Sequence, residues 1–203
     1  GLGQEKLSKP LKKLALFLIF CVILFWSALT IRQCDYWNDP VTFYQRTLRY
    51  APRSPQIYYN LGCVYSNAGR NSEAEVMYKK ALELKPEYAD AYSNLGNIYF
   101  RLDRYSDAVK MYEKAIELDP ELHTTYNNIG TIYGYQGNLD GAVTMYKQAI
   151  VKAPYYAVAY FNLAVTYLEI KEYDLAIKNC DKAAALGYHI PPLLLKQLEP
   201  YKK

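Results

Sequence analysis

Side chains recur along this chain at a spacing of 34 residues, and this period constrains the fold more than any other feature. In the first half of each unit the positions in register are Tyr58, Tyr92, Tyr126 and Tyr160, then Leu61, Leu95, Ile129 and Leu163, then Gly62, Gly96, Gly130 and Ala164. In the second half they are Ala74, Ala108, Ala142 and Ala176, then Tyr78, Tyr112, Tyr146 and Cys180. A period of this length predicts an array of similar supersecondary units, each stacked on its neighbours.

Each unit has the pattern of two helices. In the first half, apolar residues lie three and four positions apart and therefore share one helix face. A short polar residue then precedes the alanine in register, where its oxygen can accept from free N–H groups at the start of a second helix. These residues are Ser72, Ser106, Asp140 and Asp174. Pro86, Pro120 and Pro154 mark the ends of the first three units, because proline cannot extend the hydrogen-bond ladder of a helix.

The pattern resembles the tetratricopeptide repeat (TPR) family in its aromatic-x-x-Leu-Gly-x-x-Tyr, Ala, aromatic, Ala and Pro positions over residues 55–188. The resemblance implies an all-α fold, in which four units of antiparallel helix pairs form a right-handed superhelix. The fourth unit departs from it at Ala164, Cys180 and Tyr188. We expect residues 32–54 to be a linker and capping half-repeat, because Tyr44 and Pro52 continue the register, and residues 189–203 to be a capping helix.

Residues 14–31 form an apolar run without a charge, after a basic segment over residues 1–13. A helix over this run would span roughly 27 Å, close to the thickness of a bilayer's hydrocarbon core. We therefore expect one transmembrane helix rather than a cleaved signal peptide, whose apolar region is shorter. The lysines before the run outnumber the single Arg32 just after it. This asymmetry favours a cytoplasmic N-terminus and an extracytoplasmic repeat domain.

The composition argues against several functions. The net charge is only +4, and basic residues beyond the N-terminal segment alternate with acidic ones, so we expect no nucleic-acid partner. The chain has no Cys-x-x-Cys pair and only two histidines, His123 and His189, which is too sparse for a metal site. Neither a glycine-rich phosphate loop nor a nucleophile elbow is present. We expect no metal, no cofactor and no enzyme activity.

Asparagine occupies the sixth position of every unit. These residues are Asn60, Asn94, Asn128 and Asn162. In the family that the chain resembles, first helices line a concave groove, and a side-chain amide there can pair with the backbone of an extended peptide. The alternative is that the asparagines brace neighbouring helices. The further candidates for peptide binding, one helical turn away, are Tyr59, Asn97, Arg101, Asn127, Thr131, Tyr135 and Phe161, and Val165 and Glu169 continue the series.

These features favour a membrane-anchored adaptor or scaffold that binds a protein or extended peptide and helps to assemble or localise a complex. Two alternatives remain. Residues 32–52 resemble the junction in polytopic membrane glycosyltransferases with C-terminal TPR units, in which case a catalytic part would lie upstream. The array could also form a homo-oligomer, because a helical solenoid has open ends.

Overall fold

A computed structural model describes residues 17–27 and 39–202, which fall into two compact units separated between Pro52 and Arg53. In the first unit, residues 17–27 are helical (α1) and α2 spans Pro40–Tyr50. The Asp39 carboxylate caps α2 by accepting from the N–H groups of Val41 and Thr42 at 3.2 and 3.1 Å. Pro40 begins this helix at a position where no N–H group is needed.

The predicted transmembrane helix over residues 14–31 is wrong. No helix in the described parts of the chain is long and apolar enough to cross a bilayer. Within the predicted span only residues 17–27 are described, and they are helical. The remaining residues of the span lie outside the described part. The predicted single-pass localisation, its orientation and the membrane as a partner depended on this helix and lose their support.

The second unit contains four helix pairs. They are α3 (Pro55–Asn67) with α4 (Asn71–Leu84), α5 (Ala89–Arg101) with α6 (Tyr105–Leu118), α7 (His123–Tyr135) with α8 (Leu139–Lys152), and α9 (Ala157–Glu169) with α10 (Tyr173–Ala185). A short helix, α11 (Pro192–Leu198), and a 3-10 turn, Glu199–Tyr201, follow. Residues 17–27 and 39–202 contain no strand, so the predicted all-α class is confirmed for them. The predicted segment boundaries stay a prediction.

The three-residue turn inside each pair uses a left-handed backbone conformation at its second residue. Gly69 and Gly137 adopt it in the first and third pairs, with φ of 72° and 75°. Asp103 and Lys171 adopt it in the second and fourth pairs, with φ of 56° and 66°. Because two non-glycine residues take this strained conformation, the geometry is set by the packing of the helix pair and not by glycine.

The second helices begin earlier than the sequence predicted. Their first residues are Asn71, Tyr105, Leu139 and Tyr173, so the short polar residues expected at the caps lie at the second helical position. The cap positions hold Arg70, Arg104, Asn138 and Glu172, and of these four Asn138 caps with its side chain, accepting from Gly141 N–H at 3.1 Å. The turn closes with backbone bonds, as from Arg70 N–H to Tyr65 O at 2.9 Å, and this fixes the helix start without a side-chain cap.

Within a pair, a glycine on the first helix lies against a buried tyrosine ring on the second. A Cβ atom added at Gly62, Gly96 or Gly130 would lie 2.7, 2.5 or 2.7 Å from Cε1 of Tyr78, Tyr112 or Tyr146, respectively. In the fourth pair both positions change, since Ala164 replaces glycine and Cys180 replaces tyrosine, and both are buried in one core cluster. The two departures from the repeat pattern are therefore a single compensated exchange.

Successive pairs stack in chain order. Each second helix packs on the following first helix, and each first helix also contacts the next first helix. The first helices α3, α5, α7 and α9 therefore form a continuous row, called the first-helix row below. The Ser93 and Thr125 hydroxyls form a buried hydrogen bond of 2.9 Å within it.

Candidate functional site

The first two predicted asparagines are half-buried on the first-helix row and bind protein groups. The amide of Asn60 accepts from Gln56 Nε2 at 2.9 Å within the same helix. The amide of Asn94 donates to the Tyr59 hydroxyl at 3.1 Å, across the boundary between the first and second pairs. The ring of Tyr59 also lies 4.8 Å from that of Tyr88, and burial raises the pKa of the Tyr59 phenol. Asn94 and Tyr59, both predicted to bind peptide, thus hold two first helices together.

The third and fourth asparagines repeat this arrangement. Asn128 Nδ2 donates to Asn97 Oδ1 at 2.9 Å, and Asn162 Nδ2 donates to Asn127 Oδ1 at 2.9 Å. Each bond joins a first helix to the one before it, so the bracing alternative describes what the amide donors do. The Oδ1 atoms of Asn128 and Asn162, in contrast, accept no hydrogen bond from residues 17–27 or 39–202. Each of these two amides therefore braces the row with one atom and leaves an acceptor unused.

Asn97 and Asn127, predicted as peptide contacts, are committed to the array itself. Asn97 Oδ1 also accepts from the Tyr112 hydroxyl at 2.7 Å, and Asn97 Nδ2 donates to Asn94 Oδ1 at 3.3 Å. Asn127 is only 4% exposed, and its backbone carbonyl accepts from Thr131 Oγ1 at 3.1 Å. Asn127 is buried, and both amide atoms of the half-buried Asn97 are bonded to protein groups, so these two residues support the site.

Arg101 also serves the packing of the row. Its guanidinium donates to the backbone carbonyl of Ser66 at 3.2 Å and to the Ser66 hydroxyl at 2.6 Å. Ser66 lies in the last turn of α3, where carbonyl groups lack helical partners. The one basic residue among the predicted contacts thus caps the neighbouring helix.

A pocket of about 520 Å³ lies between α7, α8 and α9. It brings together four of the predicted residues, which are Thr131, Tyr135, Phe161 and Asn162. Val165 and Glu169 also line it, together with Gly134, Tyr146 and Thr166, which sequence reasoning missed. The Tyr146 hydroxyl donates to Thr131 Oγ1 at 3.3 Å. The pocket therefore combines a hydroxyl and amide surface with apolar side chains, a composition typical of sites that hold part of a ligand.

The aromatic walls of this pocket are held in place by stacking. The ring of Tyr135 is stacked on that of Phe100 with centroids 6.0 Å apart and an interplanar angle of 12°. The ring of Phe161 is stacked on that of Tyr188 with centroids 4.6 Å apart. Rings supported in this way lose little freedom when a ligand binds, which favours binding.

The expectations that the chain binds no metal or cofactor and has no enzyme activity stay expectations. In the described part of the chain, no three His, Cys, Asp or Glu side chains lie close enough together to hold a metal ion.

Comparison with known proteins agrees with the repeat pattern. Family models described as tetratricopeptide repeat match residues 43–76, 89–122 and 157–186, and one described as TPR repeat matches residues 67–103 and 130–171. These matches give no support to the resemblance to membrane glycosyltransferases. No curated protein matches the chain.

Several solved structures share the fold. MamA is 26% identical over 77% of this chain and 91% of its own, with a TM-score of 0.69. YrrB, a TPR protein with an unusual peptide-binding site, is 24% identical over 89% of this chain and 88% of its own, with a TM-score of 0.62. PilF of Pseudomonas aeruginosa is 18% identical over 84% of this chain and 79% of its own, with a TM-score of 0.73. At these identities YrrB and PilF support the fold alone.

Proposed function

The chain belongs to the tetratricopeptide repeat family, and on this premise we propose that it is an adaptor or scaffold that binds an extended segment of another protein. The binding surface is the first-helix row, which forms the concave side of a right-handed superhelix. Successive first helices contact one another along the whole row, which supports curvature in this direction.

The observation that carries the proposal is the coincidence of unused acceptors with an open pocket. The Oδ1 atoms of Asn128 and Asn162 have no partner in the described residues, and Asn162 also lines the pocket between α7, α8 and α9. An extended peptide supplies backbone N–H groups for such acceptors and side chains for such a pocket. The row therefore offers both components that peptide recognition needs.

The experiment must separate peptide binding from bracing, because Asn128 and Asn162 already brace neighbouring helices through Nδ2. Random dodecapeptides displayed on phage are selected on the purified full chain, and the affinity of selected peptides is then measured by fluorescence anisotropy. Two variants are compared. Asn162→Ala removes both amide atoms, whereas Asn162→Asp keeps the acceptor and removes the donor that braces Asn127.

If a peptide backbone binds Oδ1, Asn162→Ala weakens binding by about tenfold while Asn162→Asp retains most of it, although both lose the brace. Circular dichroism melts of both variants report the loss of the brace independently. Equal affinities for Asn162→Ala and the wild type would refute binding through this amide. Failure to select any peptide would refute the proposed function as a whole.

Self-assembly remains a prediction. No described feature favours it over binding another protein, and light scattering of the full chain at several concentrations measures it directly.

A further inference from the structure

We propose that the pocket between α7, α8 and α9 is an anchor for one aromatic or branched aliphatic side chain of the bound peptide, with a neighbouring Lys or Arg of that peptide paired to Glu169. This inference rests on the proposed function and specifies the chemistry that the peptide must carry.

Apolar side chains are exposed inside the pocket. Tyr135 is 69% exposed and Val165 is 39% exposed, and together with the half-buried Phe161 they line one continuous cavity. Apolar surface exposed in a concave site gains free energy when an apolar group covers it. An entering aromatic or aliphatic side chain would cover all three residues at once.

The pocket carries a negative charge. Glu169 is the one charged residue that lines this pocket, and its carboxylate forms no ion pair with a residue in the described ranges. It is also the last residue of α9, where the helix dipole is negative. A carboxylate at that end is unfavourable on its own and is stabilised by a cation. The charge of the site therefore fits a basic residue in the peptide and disfavours an acidic one.

A glycine on α7 contributes to the open space of this pocket. Gly134 occupies the register position that holds Ser66, Phe100 and Leu168 in the other pairs. A Cβ atom added at Gly134 would meet nothing within 4 Å. The missing side chain leaves open a part of the pocket that a larger residue at this position would occupy.

The pocket includes the unused amide acceptor of Asn162. Asn162 lies in the same pocket, and its Nδ2 is already held by Asn127 at 2.9 Å. The amide is thus fixed with Oδ1 available to a backbone N–H. A peptide bound there would place its backbone on Asn162 and one side chain against Tyr135, Phe161 and Val165.

The test uses dodecapeptides selected from phage on the wild-type full chain, synthesised with a fluorescein label. Their affinities are measured by anisotropy for the wild type, Gly134→Leu, Glu169→Gln and a control, Gln148→Leu. Gln148 is exposed on α8 and does not line the pocket, so its variant adds the same apolar side chain elsewhere. Leucine is a better helix former than glycine, so Gly134→Leu keeps the fold while filling the pocket.

We expect the selected peptides to share an aromatic or branched aliphatic residue next to Lys or Arg. Gly134→Leu should weaken their binding by about tenfold or more, because the anchor side chain no longer enters. Glu169→Gln should weaken it by roughly two- to fivefold and reduce its dependence on salt. Gln148→Leu should leave the affinity unchanged.

Two results would overturn the anchor proposal while leaving peptide binding intact. One is a set of peptides that lose affinity for Asn162→Ala but bind Gly134→Leu as tightly as the wild type. The other is a set enriched in acidic residues, with binding unaffected by Glu169→Gln. If no peptide binds the chain at all, the proposed function and the anchor fail together.

Discussion

The ring of Tyr112 on α6 lies so close to Gly96 on α5 that a Cβ atom added at Gly96 would be 2.5 Å from its Cε1 atom. We therefore expect Gly96→Ala to lower the free energy of unfolding by about 1–3 kcal/mol, as overpacking of a core usually does. Urea denaturation followed by circular dichroism measures this loss. Gly134→Ala is the matched control, because alanine there meets nothing within 4 Å and should add about 0.5–1 kcal/mol. Equal effects of the two substitutions would contradict the packing argument.

The exchange at Ala164 and Cys180 predicts a specific rescue. Cys180→Tyr should lower the free energy of unfolding, because a ring placed as in the other pairs would collide with the Ala164 methyl group. Adding Ala164→Gly should restore much of it, with a coupling of about 0.5–3 kcal/mol between the two sites. A double-mutant cycle of denaturation midpoints gives this coupling, and additive effects would show that the two positions are independent.

Substitution of Lys171 by glycine should stabilise the protein more than substitution of any other turn residue of the array. It adopts a left-handed conformation with φ of 66°, which costs a non-glycine residue about 1–2 kcal/mol. Glycine loses more backbone entropy than lysine on folding, and this offsets part of the relieved strain. We therefore expect Lys171→Gly to raise the free energy of unfolding by about 0.5 kcal/mol.

The matched substitution is Asp103→Gly, where φ is 56°. Aspartate tolerates this conformation better, and its Oδ1 accepts from the Tyr105 hydroxyl at 2.8 Å. The gain there should be smaller or absent. A larger gain at Asp103 than at Lys171, by thermal melting, would reject this account.

The buried tyrosines should make the fold sensitive to alkali. Burial raises the pKa of Tyr78 and Tyr112 above the ordinary value of about 10. Because the pKa of each phenol is higher in the folded state, the unfolded chain loses these protons at a lower pH than the folded chain does. Stability is therefore fully present below about pH 10 and falls as the pH rises from there toward the folded-state values.

Urea titrations at a series of pH values measure this loss, and absorbance at the phenolate band shows whether the rings ionise before or during unfolding. Tyr112→Phe should reduce the pH dependence, since phenylalanine has no proton to lose. An unchanged dependence in this variant would assign the alkaline loss to other groups.

The repeat pattern predicted the helix pairs because their helices are determined by local, periodic contacts. Gly96 and Tyr112 recur in register with equivalent residues, so the sequence indicates that the glycine and the tyrosine of a pair lie close together. The strained turn at Lys171 and the start of α4 at Asn71 were harder to predict. Both depend on backbone geometry that a glycine-based or cap-based signal does not describe.

The candidate site was predicted in part. Periodicity placed Thr131, Tyr135, Phe161 and Asn162 on one surface, and they line the same pocket. It could not show that Asn127 is buried, because residues one turn apart on a helix differ in exposure according to the neighbouring helix. Gly134 was missed because the absence of a side chain carries no signal unless it is compared across the register. The transmembrane prediction rested on the length and apolarity of residues 14–31, and no helix in the described residues meets both requirements.

The amide bonds from Asn94 to Tyr59, Asn128 to Asn97 and Asn162 to Asn127 all run in one direction, each from a later pair to an earlier one. Each bond crosses a single boundary, so the order of one pair depends on its immediate predecessor, as in a chain of coupled nearest neighbours. Such a chain frays from its ends more readily than it opens in the middle. A peptide held by both Asn128 and Asn162 would span the last boundary of the array, and the protein would gain cooperativity where it otherwise has least.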